Sequence, residues 1–175
     1  MSVTLETSTP AAPAGLDFDA LYREARDDVY AYVVTLLRSP TAAEDVTAQA
    51  FERAFRKVRS YDPRKGGPRA WLFGIARNAA LDELRRGKRV ASLVAEPADA
   101  SAAPDDEAER AIRRAAVRNA LAQLPPRDRE IVALKFYAGL DNAEIAEVVG
   151  TSVSNAGTQL HRAMTKLRKA VDDRS

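Results

Sequence analysis

"DNAEIAEVVGTSVSNAGTQLHRAMTKLRK", residues 141–169, reads as two short helices broken at Gly150. Asp141 and Glu144 stand at capping-box spacing, at which each side chain reaches the other residue's backbone N–H. Ile145, Val148 and Val149 fall on the inward side of the first helix, and Gly150 permits the left-handed turn that ends it. Ser152 then caps a second helix with a continuous apolar stripe of Val153, Ala156, Leu160, Ala163, Met164 and Leu167. Ser154, Asn155, Thr158, Gln159, Arg162 and Lys166 lie on the opposite face, the one a helix-turn-helix inserts into the major groove. That face opens without a positive charge. Its Asn155 and Gln159 are four apart, and such amides can bond adenine N6 and N7 bidentately. Gly157 removes a side chain, which would let the backbone approach DNA closely. The competing reading of the same pattern is a plain helical hairpin inside a bundle.

The rest of the chain has to supply the missing charge. Net charge over 175 residues is only +2, but residues 56–89 carry eleven basic side chains against Asp62, Asp82 and Glu83. Residues 16–55 are acidic on balance, residues 90–110 hold six acids and Arg110, and residues 111–175 hold eleven basic side chains and seven acids. Two basic modules flank an acidic connector, an asymmetry that suggests nucleic-acid contact at both ends. There is no Cys and only one His, so disulfides, thiolate metal sites and His clusters are excluded, and no cofactor or metal is expected. No apolar run approaches the roughly 20 residues of a membrane span, and the start, MSVTLETSTPAAPAG, lacks the regions of a signal peptide. These features point to a cytoplasmic protein with no membrane insertion.

Residues 1–15 read as a disordered tail of Thr, Ser, Pro and Ala. From Leu16 apolar residues recur at three- and four-residue spacing: Phe18, Leu21, Tyr22 and Ala25, then Val29, Tyr32, Val33, Leu36 and Leu37. Thr41 and Glu44 have capping-box spacing for a helix with Val46, Ala50, Phe51, Ala54 and Val58 inward. The loop "YDPRKGG" breaks helix and exposes Arg64 and Lys65. A helix starting near Pro68 follows, ending at Gly87 and its basic cluster. Residues 90–109 read as a flexible linker. Helices resume with Ile112, Ala116, Ala120 and Leu124 on one stripe, then Ile131 and Leu134 after the Pro125–Pro126 break. Period-two alternation is absent, so the fold class is all-α. Nine of eleven aromatics lie between Phe18 and Phe73. Of these, Tyr61 and Trp71 flank the basic loop, where unpaired bases stack on aromatics.

Three stretches, "AEDVTAQAFERAFRKV", "RAWLFGIARNAALDELRR" and "LPPRDREIVALKFYAGLDNAEIAEVVG…LHRAMTKLRK", together resemble the extracytoplasmic-function group of bacterial sigma factors, over roughly residues 16–170 and in the right order. The resemblance implies two small helical domains, region 2 at residues 16–89 and region 4 at residues 110–175, joined by the linker. It implies that the first binds the β′ clamp helices of core RNA polymerase and captures the melted minus-ten single strand. The second would bind the β flap and read the minus-thirty-five promoter duplex, while the linker's acids mimic nucleic-acid charge near the RNA exit channel.

Carried over onto this sequence, Glu44 and Asp45 match the acidic pair before the clamp-binding helix, with Gln49, Glu52, Arg53 and Arg56 along its continuation. Tyr61, Arg64 and Lys65 fall in the segment that receives a flipped base, and Trp71, Arg77, Asn78, Arg85 and Arg86 on the helix that meets the minus-ten edge. Arg127 and Lys135 match phosphate contacts, with the helix from Ser152 as reader. Two departures stand out. Ala48 and Gln49 replace a pair in which the family commonly has an acid, and phosphorylation of Thr47 beside them could restore negative charge. Gly157 and Gln159 stand where reading helices commonly carry Lys and Arg. An anti-sigma factor is a further partner of the family's kind and would use the same surfaces. The implied protein is not an enzyme. A freestanding helix-turn-helix repressor with an N-terminal dimerisation or sensing domain is the alternative, and it leaves the basic loop and acidic linker unexplained.

Overall fold

The computed structural model describes residues 15–90 and 108–173, with side chains through Gly87 in the first segment. Residues 1–14 of the tail and 91–107 of the linker lie outside the described residues, which hold seven α-helices, one 3₁₀ turn and no strand. They run α1 (Phe18–Leu37), α2 (Pro40–Arg56), a 3₁₀ turn (Val58–Ser60), α3 (Pro68–Val90), α4 (Ala108–Gln123), α5 (Pro126–Phe136), α6 (Asn142–Val149) and α7 (Val153–Asp172).

Asp17 caps α1 by accepting from the Ala20 N–H, and one uninterrupted helix carries both apolar groups of the sequence reading. It ends where Arg38 turns left-handed (φ 57°). The Thr41–Glu44 capping box does not form. Ser39 is the cap, accepting from the Ala42 N–H at 3.3 Å, because Pro40 suits the first helical position and draws the start forward. Gly87 does not end α3, which continues to Val90; a single glycine costs a helix only about 1 kcal/mol.

Leu21, Ala25, Val29, Tyr32 and Val33 of α1 pack against Val46, Ala50, Phe51 and Ala54 of α2 and Leu72, Phe73, Ala76 and Ala80 of α3. Many of these residues are alanines, which lets the helix backbones approach closely. The same core continues into the second half through Ile131, Leu134, Leu140, Ile145 and Ala146. Helix α5 is the hinge of this arrangement, with Arg129 through Leu134 all buried between α1 on one side and α7 on the other. A smaller cluster of Leu121, Leu124, Val132 and Ala163 fixes α4 to α5 and α7.

Arg129 shows how a charge survives there. Its guanidinium donates to the carbonyls of Leu121 (3.1 Å) and Leu124 (3.1 Å), satisfying the end of α4, while burial pulls its pKa below the usual value. Ile112, by contrast, does not join the α4 stripe. It is 69% exposed, because the helices α4 packs on cover only its later turns, at Ala120 and Leu121.

Candidate nucleic-acid interface

The helix-turn-helix forms as its caps dictate. Asp141 accepts from the Glu144 N–H at 2.8 Å and Glu144 accepts from the Asp141 N–H at 2.9 Å. Gly150 is left-handed (φ 75°), and Ser152 accepts from the Asn155 N–H at 3.1 Å. Ala156 and Ala163 seat α7 against its neighbours, leaving Ser154, Asn155, Thr158, Arg162 and Lys166 exposed and Gln159 half-buried. Val153 leaves the apolar stripe, 53% exposed at the first turn of α7, beyond the reach of α6. Several reading-face groups are already engaged. The Asn155 amide donates to the Thr151 hydroxyl (2.6 Å), the Thr158 hydroxyl to the Ser154 carbonyl (3.0 Å), and the Lys166 ammonium to Asp128 (2.6 Å). Arg127 is exposed at the start of α5 and Lys135 half-buried near its end.

Gly157 does not face outward as the sequence reading had it. A Cβ there would lie 3.3 Å from the Asn142 side-chain nitrogen, so the glycine marks a close crossing of α7 and α6. The atom in the way is the tip of the Asn142 side chain rather than backbone, and it has to give by only a few tenths of an ångström. Gly157→Ala is therefore expected to stabilise the fold by about 0.5–1 kcal/mol through helix propensity. That corresponds to a rise in melting midpoint of about 1–4 °C in a chain of this size, with unchanged promoter preference. A loss of DNA binding at equal stability would restore the outward reading.

On α2, Glu44, Asp45 and Glu52 are exposed and Gln49 half-buried. Glu52 accepts from Arg56 at 2.6 Å, and Arg53 donates across to Asp82 of α3 at 3.2 Å. Thr47 is only 8% exposed and its hydroxyl is buried without a partner, so the folded chain does not offer it for phosphorylation, contrary to the sequence expectation. In the basic loop, Arg64 clasps both oxygens of Asp62 (3.1 Å each) and holds that carboxyl below its usual pKa, while Lys65 stays exposed. Tyr61 is buried, donating to the Gly66 carbonyl at 3.1 Å and lying 5.4 Å from the half-buried Trp71 ring. On α3, Asn78 is exposed, and Arg85 and Arg86 pair with Asp82 (3.4 Å) and Glu83 (2.9 Å).

The sequence reading missed what joins the halves. Arg77, expected at DNA, donates to Glu130 of α5 at 2.5 Å, and Tyr32 donates to the same carboxylate oxygen at 3.1 Å. Arg69 donates to Asp28 (2.9 Å) and to the carbonyls of Ala138 (2.9 Å) and Tyr137 (3.2 Å). Beside Glu130 a cleft of about 180 Å³ brings together Arg77, Arg127, Asn155 and Gln159. Partners 53 and 98 residues apart leave no local signal in a sequence.

Two family models match in order, Sigma-70 region 2 over residues 21–90 and Sigma-70 region 4 over residues 114–167. The sigma factor SigL of Mycobacterium tuberculosis is 32% identical over 167 residues, covering 93% of each chain. The chain belongs to the extracytoplasmic-function RNA polymerase sigma factors. Another member, BldN of Streptomyces coelicolor, is 31% identical over 89% of this chain, which spans 61% of BldN's length. Among solved structures, CnrH, determined in complex with the cytosolic domain of CnrY, superposes with a TM-score of 0.65 at 25% identity, covering 90% of this chain and 89% of that one. RpoE of Bartonella quintana, determined with the anti-sigma factor NepR, shares the fold with a TM-score of 0.76 at 22% identity, covering 89% and 97%.

Proposed function

We infer that this sigma factor joins core RNA polymerase, directs it to promoters, and opens the duplex there to start transcription. The observation that carries this is the ordered pair of sigma regions together with an end-to-end relative in SigL. It acts by binding and carries no catalytic residue of its own. The surface of α2 with Glu44, Asp45, Gln49 and Glu52 meets the β′ clamp helices, together with Arg53 and Arg56. The half-buried Trp71, supported by Tyr61 beneath it, offers a stacking face to a flipped minus-ten base, and Arg64, Lys65, Asn78, Arg85 and Arg86 line the strand's path. Flipping costs a few kcal/mol, which those contacts offset. Helix α7 reads the minus-thirty-five duplex, with Arg127 and Lys135 on phosphates, and the β flap binds the same half. Residues 16–89 and 110–175 form the two working units. The place of action is the cytoplasm, and no helix among the described residues is long and apolar enough to cross a membrane. RpoE was determined in complex with an anti-sigma factor, which supports a protein of that kind as a further partner here.

Each half alone offers few phosphate contacts, and the log of phosphate-driven affinity falls with log salt at about −0.9 per neutralised phosphate. The purified chain is therefore expected to bind promoter duplex weakly at physiological salt and to gain sequence specificity only with core polymerase. Equilibrium binding to labelled promoter and scrambled duplexes, with and without core, checks this. Tight sequence-specific binding by the chain alone would favour a freestanding repressor instead.

A further inference from the structure

The cleft beside Glu130 is lined by more hydrogen-bond donors than the chain itself uses. Arg77 lines it from α3, Arg127 from the first turn of α5, Thr151 from the turn before α7, and Asn155 and Gln159 from the first two turns of α7. A guanidinium carries five N–H groups in a planar fork. Of the Arg77 nitrogens only Nε has an acceptor among the described residues, the Glu130 carboxylate at 2.5 Å. Arg127 and Gln159 have no partner among those residues. Asn155 donates to the Thr151 hydroxyl at 2.6 Å, which leaves that hydroxyl its own proton to give. The one charged acceptor in the wall is Glu130, and one of its oxygens is already shared by Arg77 and Tyr32. Two guanidinium charges therefore meet a single carboxylate in a space of about 180 Å³.

We propose that this cleft is a binding site for inorganic phosphate. The charge balance calls for an anion, and the donors call for one with several oxygens. Guanidinium forks bind phosphate through paired N–H groups, and the hydroxyl and amides supply further donors around it. Size narrows the choice. Pockets that enclose a drug-sized ligand run to about 300–1,000 Å³, so a cleft of about 180 Å³ takes a small anion and leaves no room for a nucleotide. The Glu130 carboxylate narrows it again. An ionised carboxylate only accepts hydrogen bonds, so it repels a fully ionised anion and favours one that still has a proton to donate. Inorganic phosphate keeps such a proton near neutral pH. Sulfate has none, and a phosphate monoester, with a second pKa of about 6, has mostly lost its own. The expected order of affinity is therefore inorganic phosphate, then monoester, then sulfate. A bound phosphate bridges α3 to α5 and α7 and stabilises the folded chain by mass action.

Calorimetric titration of the full chain with inorganic phosphate, at neutral pH and with ionic strength held by chloride, tests the site. It uses neither polymerase nor DNA, so its outcome is independent of the sigma-factor reading. The expected result is one saturable site per chain, with glycerol phosphate bound more weakly and sulfate more weakly still. Arg127→Gln alters an exposed residue and should weaken phosphate binding about tenfold. Arg77→Lys keeps a cation beside Glu130 but removes the fork, and should weaken it by less. Arg168→Gln removes the same charge from an exposed position on α7 outside the cleft and should leave phosphate affinity unchanged. Phosphate should raise the melting midpoint of the unmodified chain above its value in chloride. Arg127→Gln should melt at that chloride value in either salt, which separates lost binding from lost folding. Absence of saturable phosphate binding, equal affinity for phosphate and sulfate, or equal losses in Arg127→Gln and Arg168→Gln would overturn the site.

Discussion

Phe73→Ala is expected to cost about 3 to 5 kcal/mol, a large part of the 5–15 kcal/mol that holds a typical domain folded. Phe73 is fully buried in α3, and its ring meets Tyr32 of α1 edge to face at 5.5 Å. The Arg69 guanidinium lies 5.6 Å from the ring centroid, so one side chain underlies the α1–α3 core and both polar clasps to the second half. Truncation leaves a cavity that the fully buried Leu72 and Tyr32 around it are too tightly packed to fill. Urea unfolding checks this as a fall in midpoint at constant slope. A loss below 1 kcal/mol would show that α3 packs differently.

The second large effect concerns base choice by α7. Gln159 is half-buried on the cleft beside Glu130, whereas the Asn155 amide must give up its bond to Thr151 before it can serve a base. Gln159 is therefore expected to carry more of the preference for adenine in the minus-thirty-five element. Gln159→Arg should shift one position toward guanine by about 1 to 3 kcal/mol, and Asn155→Ala should relax a neighbouring position by less. Selection from a randomised minus-thirty-five element with each holoenzyme reads the shift. Identical preferences for the unmodified chain and both variants would mean that these amides meet only water or phosphate.

What could be read from the sequence, and what could not, divides by distance along the chain. Asp141, Glu144, Gly150 and Ser152 act on backbone groups within four residues, so the helix-turn-helix was legible down to its caps. The start of α2 was missed because Ser39 and Thr41 are both good caps, and only the intervening Pro40 chooses between them. Periodicity gave the stripes of α4 and α7 but not where their neighbours stop, hence the exposed Ile112 and Val153. Tyr61 looked like an exposed loop aromatic because nothing local announces its bond to Gly66 or the cover Trp71 gives it. The convergence of Tyr32 and Arg77 on Glu130 depends on how three distant helices pack. No spacing rule contains it.

The central claim is that this chain gives core RNA polymerase its promoter. Run-off transcription from a promoter library, using core polymerase with and without the chain, tests it most directly. The account predicts transcripts only when the chain is present, from templates sharing two short elements at a fixed separation. Transcription that is the same without the chain, or enrichment of a single element read by the second half alone, would contradict it.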